Sequence, residues 1–167
     1  MQPQYKLISA VQELPQATNE NWFEYPVKVQ PHHTDYAGIV WHGSYLAWME
    51  EARVEYLSSI GIDCANLNAL NCDLHVVELS IRYHQPMRMG MVAVVKTLMK
   101  PKLRGVRLDW SYKILSLEGS KTYVTAQLTV LAVDREKGTV MNQLPSVMED
   151  VLQVIREQLR QLPPVIK

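Results

Sequence analysis

The stretch Pro31-His32-His33-Thr34-Asp35-Tyr36-Ala37-Gly38-Ile39-Val40-Trp41-His42-Gly43, followed by Ser44–Ile60 (SYLAWMEEARVEYLSSI), decides how the chain folds. Its first part carries His, Asp and Gly without periodicity and reads as a loop. In the second part Tyr45, Trp48, Met49, Ala52, Tyr56, Leu57 and Ile60 recur at helical spacing, and Leu46 and Val54 widen the apolar stripe. Gly61 stands where a helix C-terminal cap is expected. The spacing predicts one long helix over residues 44–60, mostly enclosed.

On either side the period is two. Within Trp22–Gln30, Phe23, Tyr25, Val27 and Val29 alternate with Glu24, Pro26 and Lys28. After a connector over Ile62–Asp73, four more runs follow: Val77 to Tyr83, Met91 to Met99, Val106 to Ile114 and Val124 to Ala132. Glu118-Gly119 predicts a tight turn that makes the last two a hairpin. Pro145 opens a terminal helix carrying Val147, Val151, Val154, Ile155, Gln158 and Leu159, and Pro163-Pro164 ends it. Residues 1–20 are polar and irregular and read as an N-terminal arm, with residues 21–162 as one domain. The predicted class is α+β: an antiparallel sheet wrapped around the central helix, plus a C-terminal helix. Such a sheet leaves edge strands, which invites pairing with another subunit.

A chain of 167 residues can bury one hydrophobic core without disulfides or metals. Its 17 Lys and Arg balance 17 Asp and Glu, which argues against nucleic acid or an anionic membrane as partner. An anionic ligand must then be met by a local basic patch. Cys64 and Cys72 form no disulfide framework and suit a reducing compartment. No run approaches the ~20 apolar residues of a membrane span, and the first residues lack a signal-peptide pattern. The expectation is a cytoplasmic protein. His32 and His33 lack a third ligand, so no metal site is expected.

The loop gains chemical interest from its place before a helix. The first N–H groups of a helix lack partners and carry partial positive charge, which suits them to stabilising an oxyanion. A carboxylate held nearby, here Asp35 in a turn that Gly38 makes possible, can attack a thioester carbonyl or activate water. The competing reading makes Asp35 a turn or capping residue and nothing more.

The run from Val29 to Ile62 resembles the signature of hotdog-fold thioesterases of the 4-hydroxybenzoyl-CoA thioesterase type. The matching residues are Asp35-x-x-Gly38-Ile39-Val40, Tyr45, Trp48, Glu50 and Ala52-Arg53. The likeness implies a hotdog fold, hydrolysis of an acyl- or aroyl-CoA, and Asp35 as nucleophile or general base. It implies a backbone N–H of His42 or Gly43 as the oxyanion contact. It also implies basic residues before the fourth strand that meet the coenzyme A phosphates: Lys100, Lys102 and Arg104. Tyr36, Trp41, Tyr45, Trp48 and Glu50 are the substrate-binding candidates, with the alternative that Glu50 merely pairs with Arg53 at helical spacing. Coenzyme A is part of the substrate, so no separate cofactor is expected, and the implied assembly is a homodimer or homotetramer. A candidate acyl group is 1,4-dihydroxy-2-naphthoyl, as in some relatives within that family. Two departures stand out: His33 replaces an Asp found in many members, and Gly90-Met91 replaces Gly-Asp. The alternative function is a noncatalytic module that binds acyl-CoA or an acyl carrier protein.

Overall fold

The alternating runs become strands because each has one apolar face to hide and one polar face to keep wet. In a computed structural model, which describes residues 22–102 and 105–160, they form one antiparallel sheet. Its strands are β1 (Phe23–Lys28), β2 (Cys72–Tyr83), β3 (Val92–Pro101), β4 (Arg107–Leu115), β5 (Thr122–Asp134) and β6 (Thr139–Val140). The order is β1-β3-β4-β5-β2, with the short β6 also on β5. The N-terminal arm, Arg104 and Pro163-Pro164 lie outside the described residues.

Register puts apolar residues in rows. Trp110 stands opposite Met99 on one side and Leu128 on the other; Tyr112 stands opposite Thr97 and Ala126. This inner face receives helix α1 (His42–Ser59), which lies against β3 and β1 and buries Tyr45, Trp48, Met49, Ala52, Tyr56 and Leu57. Ala52 is wholly buried, and Tyr56 meets Trp110 edge-on at 5.6 Å. Burying each large apolar side chain contributes roughly 1.5–3 kcal/mol. The outer face is polar: Lys96 pairs with Glu24, and Arg107 with Asp109 and Glu78. The expected α+β arrangement, a sheet curled around one long helix with a second helix at the C-terminus, is the one observed.

Several details differ from the sequence reading. Helix α1 starts at His42, two residues early, because Trp41 with extended backbone is its N-cap. Its end follows expectation: Gly61, at φ +82°, lets its own N–H reach Ser58 O and that of Ile62 reach Leu57 O. The helix is half enclosed, since Glu50, Glu51, Val54, Glu55 and Ser58 remain exposed on one flank. The supposed connector holds a second helix, α2 (Cys64–Ala69), capped where the Asp63 carboxylate accepts from Asn66 N–H. Six residues are too short to display a helical period. Strand β2 begins at Cys72 and carries a bulge at Val77. The last helix, α3 (Ser146–Arg160), buries Met148, Val151, Leu152 and Ile155, a stripe shifted from the predicted one. Met148 and Leu152 fill the core there.

The two sheet edges differ. Strand β1 is six residues long and contains Pro26, which has no N–H to offer a further strand. Strand β2 is twelve residues long, without proline, and exposes Val76, Val77, Leu79 and Tyr83. Among the described residues no helix is long and apolar enough to cross a membrane.

Leu152 is fully buried, so Leu152→Ala should lower the unfolding free energy by about 2–5 kcal/mol in urea denaturation. A loss below about 1 kcal/mol would mean that α3 is not docked on the core as described.

Candidate active site

The loop between β1 and α1 is built from local hydrogen bonds. Pro31 sets a single 3-10 turn over Pro31–His33, closed by Thr34 N–H to Pro31 O at 3.1 Å. The Asp35 N–H donates to Ile39 O (2.8 Å) and Gly38 N–H to Asp35 O (3.0 Å). These bonds fold residues 35–39 into a tight reversal. Gly38 sits at φ +71°, a conformation that costs a side chain-bearing residue of ordinary kind ~1–2 kcal/mol. Thr34 bridges Val40 across the reversal, and Ile39 bridges Arg88.

The same loop is tied to the helix. The carbonyl of His33 accepts both Trp41 N–H (2.9 Å) and the Ser44 hydroxyl (2.8 Å). Val40 N–H donates to Met87 O (2.9 Å), and Met87 N–H donates to the Tyr45 hydroxyl (3.1 Å). Tyr83 at the end of β2 donates to His42 O (3.1 Å). Burial raises the Tyr45 and Tyr83 phenols, so both hydroxyls stay neutral through the physiological range.

Asp35 is exposed at the turn. Its Oδ1 accepts from Ala37 N–H (2.8 Å) and Ile39 N–H (3.2 Å), so the turn-residue reading is partly correct. Both bonds use one oxygen. Among the described residues no donor reaches Oδ2, which leaves that oxygen for chemistry. The start of α1 is likewise open: Trp41 makes no side-chain cap, and no acidic residue stands in the first turn. The N–H groups of His42 and Gly43 therefore keep the unpaired partial charge of a helix N-terminus.

The remaining candidates fall into three groups. Tyr36 and Trp41 stand out from the surface beside this start, Tyr36 fully exposed and Trp41 at 54%. The Trp41 ring lies over Gly43: a Cβ there would come within 2.1 Å of it. Tyr45 and Trp48, at 3% and 2% exposure, are core residues that support the loop from below, with ring centroids 5.4 Å apart. Glu50 is clamped by Arg53, whose Nη2 donates to both carboxylate oxygens at 2.5 Å.

The basic stretch is not near Asp35 within one chain. Met89 N–H donates to Gly38 O, which sets the loop at the beginning of β3. Lys100 stands eight residues farther along β3, about 26 Å away at strand rise. Lys102 lies 3.7 Å from Asp109, itself bonded by Arg107 (2.9 Å) and Thr129 (2.7 Å). Burial opposes ionisation of Asp109, but the Thr129 and Arg107 bonds hold its carboxyl below the ordinary value. Arg104 lies outside the described residues.

One feature has no counterpart among the predicted site residues. A cavity of about 440 Å³ opens beside the second half of α1, lined by Arg53, Val54, Leu57, Ile62, Leu67 and Leu74, with Glu50 at its rim. Ile62, Leu67 and Leu74 flank or belong to α2 and β2, and that wall was hidden because the α2 segment shows no period. Glu50 stands about 12 Å along the helix from His42. Among the described residues no three His, Cys, Asp or Glu side chains converge as metal ligands would.

The turn that carries Asp35 leads within the same loop to the uncapped start of α1, on a sheet curled around that helix. Residues 29–164 match the thioesterase-like superfamily, and the chain belongs to it. It is an enzyme of the thioester-hydrolase class. It is 50% identical over 146 residues to a Synechocystis sp. protein provisionally named esterase sll0410, with 87% of each chain covered. It is 29% identical to the acyl-CoA thioester hydrolase YbgC of Escherichia coli, over 70% of this chain and 85% of the relative. In fold it resembles the crystal structure of Slr0204, a 1,4-dihydroxy-2-naphthoyl-CoA thioesterase from Synechocystis. That match has a TM-score of 0.71 at 22% identity, over 79% of this chain and 96% of the other.

A methyl group at residue 43 must push the Trp41 ring off the helix start. Gly43→Ala also gains helix propensity of up to ~1 kcal/mol, so stability should change by no more than that while Trp41 becomes easier to quench with acrylamide. Unchanged quenching relative to a Trp41→Phe control would show that the ring does not rest on Gly43.

Proposed function

We propose that the protein hydrolyses the thioester of an acyl- or aroyl-coenzyme A, with Asp35 as its catalytic carboxylate. The observation that carries this reading is the free Oδ2 of Asp35 beside an uncapped helix start. The thioester oxygen would lie against the His42 and Gly43 N–H groups, which stabilise the negative charge it gains on attack. Asp35 then acts in one of two ways. Its Oδ2 adds to the carbonyl carbon, expels coenzyme A as thiolate and leaves an acyl-aspartate that water hydrolyses. Alternatively, Oδ2 takes a proton from water as that water adds, and the tetrahedral adduct expels the thiolate. Rapid quench followed by mass spectrometry separates the two, since only the covalent route leaves an acyl group on Asp35 during turnover.

The working unit is proposed to be a homodimer joined along the exposed edge of β2, with a pair of dimers as the larger assembly. Several features support this. Strand β2 has a long free edge with exposed Val76, Leu79 and Tyr83. Its Tyr83 end touches the helix start, and Glu78, near the middle of the strand, meets Arg107 of the basic cluster. Antiparallel pairing of two β2 strands by a two-fold axis brings the partner's basic end alongside Asp35. An extended coenzyme A would then span two subunits, with phosphates on Lys100 and Lys102 of one and the thioester at Asp35 of the other.

For the acyl group, 1,4-dihydroxy-2-naphthoyl is the leading aromatic candidate. The Synechocystis structure named for that substrate and the exposed Trp41 and Tyr36 support it. Straight-chain acyl groups are the competing class. Here the protein is proposed to work in the cytoplasm.

Asp35→Asn should lower kcat by about 10²–10⁴-fold in a thiol-release assay over aromatic and straight-chain CoA esters. Near-normal turnover would overturn the assignment, and tight binding of the esters without thiol release by the unmodified chain would favour the binding-module reading. Co-assembling Asp35→Asn with a Lys100→Glu/Lys102→Glu variant should restore turnover at low substrate, because one mixed site then keeps all its groups. Absence of any restoration in verified mixed dimers would place carboxylate and phosphates in the same subunit.

A further inference from the structure

The backbone N–H of Gln30 points at the His33 side chain, 3.0 Å from Nδ1. A peptide N–H can only donate, so Nδ1 must be the ring's bare acceptor nitrogen and the proton of the neutral ring must sit on Nε2. Between them these two residues hold the 3-10 turn from both ends, since His33 N–H also donates to Gln30 O at 3.0 Å. The carbonyl of the same His33 receives Trp41 N–H and the Ser44 hydroxyl, the two bonds that fasten the start of α1 to the loop. The ring itself stands edge-on to Trp48, with centroids 5.0 Å apart.

We infer that His33, through its unprotonated Nδ1, is a positioning residue that sets the catalytic loop against the helix start and lets go of it when the ring takes a second proton. Protonation would put an N–H on Nδ1 directly facing the Gln30 N–H, two donors with nothing to accept. The turn would have to open, and the carbonyl that carries Trp41 and Ser44 would move with it. Asp35, two residues on, and the His42 and Gly43 N–H groups would then lose their common frame. The groups facing the ring bias it toward the neutral form. Partial burial and the neighbouring His32 ring, centroid 4.1 Å away, both disfavour a charge on His33. Glu51 on α1 pulls weakly the other way, and Tyr25 on β1 donates a hydrogen bond to that carboxylate. The net effect lowers the ring's proton affinity below its ordinary value of 6.5. The unfolded chain therefore takes the proton more readily, so this contribution to stability is intact at neutral pH. It fades as the pH falls through 6.5 and below.

The catalytic part of this inference rests on the thioesterase reading; the hydrogen bond does not. ¹⁵N-edited NMR of the imidazole rings in the full chain tests the bond directly. The expected result is an Nε2–H tautomer for His33, titrating below its ordinary value of 6.5; an Nδ1–H tautomer overturns the inference whatever the enzyme does. The kinetic arm compares His33→Ala with His33→Asn, whose side-chain oxygen can stand close to where Nδ1 was. His33→Ala should lose roughly tenfold in kcat with KM within about twofold, the scale expected when reacting groups shift by a fraction of an ångström. His33→Asn should recover to within about threefold and lose the fall in kcat between pH 7 and 5 that the histidine causes. His33→Asn as poor as His33→Ala, or a wild-type pH profile in either variant, overturns the positioning role. A protein that hydrolyses no ester yet shows the Nε2–H tautomer counts against the thioesterase reading alone.

Discussion

Two hydrogen bonds to one carbonyl hold this site together. The oxygen of His33 takes the N–H of the residue that caps α1 and the hydroxyl of a residue in its first turn. Without that shared acceptor the loop and the helix would be joined, beyond the chain itself, only through Met87, which binds Val40 on one side and Tyr45 on the other. With it, the helix start cannot move without carrying the turn along. The scaffold beneath is equally specific: Met87, Tyr45 and Val40 form a short relay from the segment before β3 into the helix and the loop. Exposed chemistry therefore rests on buried polar contacts, which are worth more where water cannot compete.

Helix α1 divides its labour around its circumference. One side, with Trp48, Met49, Ala52 and Tyr56, is packed into the sheet and supplies rigidity. The small Ala52 lets the backbone approach β3 and β1, and burial raises the Tyr56 phenol to about 12, so it stays un-ionised in the core. The opposite flank keeps polar residues, and there Arg53 and Glu50 neutralise one another at the mouth of a cavity. A buried guanidinium is tolerable only with such a partner. The helix is thus both the centre of the core and one wall of an open chamber.

Much of this was legible in the sequence, and the reasons are physical. Period-two runs were long enough to fix the inward faces of β1, β4 and β5, because a one-residue slip would bury charge, whereas the apolar row read in β2 (Val77, Leu79, Tyr83) stays exposed along the sheet edge. Gly61 and Glu118-Gly119 marked ends and turns by backbone requirement, not by composition. Asp35 stood out through its neighbours Gly38, Ile39 and Val40. The misses share a cause too. Helix α2 and strand β6, at six and two residues, are too short to repeat their own pattern twice. The buried stripe of α3 could not be chosen from amphipathic spacing alone, because Met148 and Leu152 compete with Val147 and Val154 for the same core. Distance was also invisible: no spacing rule tells that Lys100 sits at the far end of the strand that begins beside Asp35.

The unlike edges of the sheet carry a consequence for how this protein behaves at high concentration. Fibril growth by strand addition needs a molecule that can accept a neighbour on both sides, so that each newcomer presents a fresh template. Among the described residues β1 is short and interrupted by Pro26, and only β2 is long enough to act as a template. A sheet with a single usable edge is a chain terminator: once that edge is occupied, nothing remains to propagate from. The fold can thus keep one long, apolar, unprotected strand in every copy without courting runaway polymerisation.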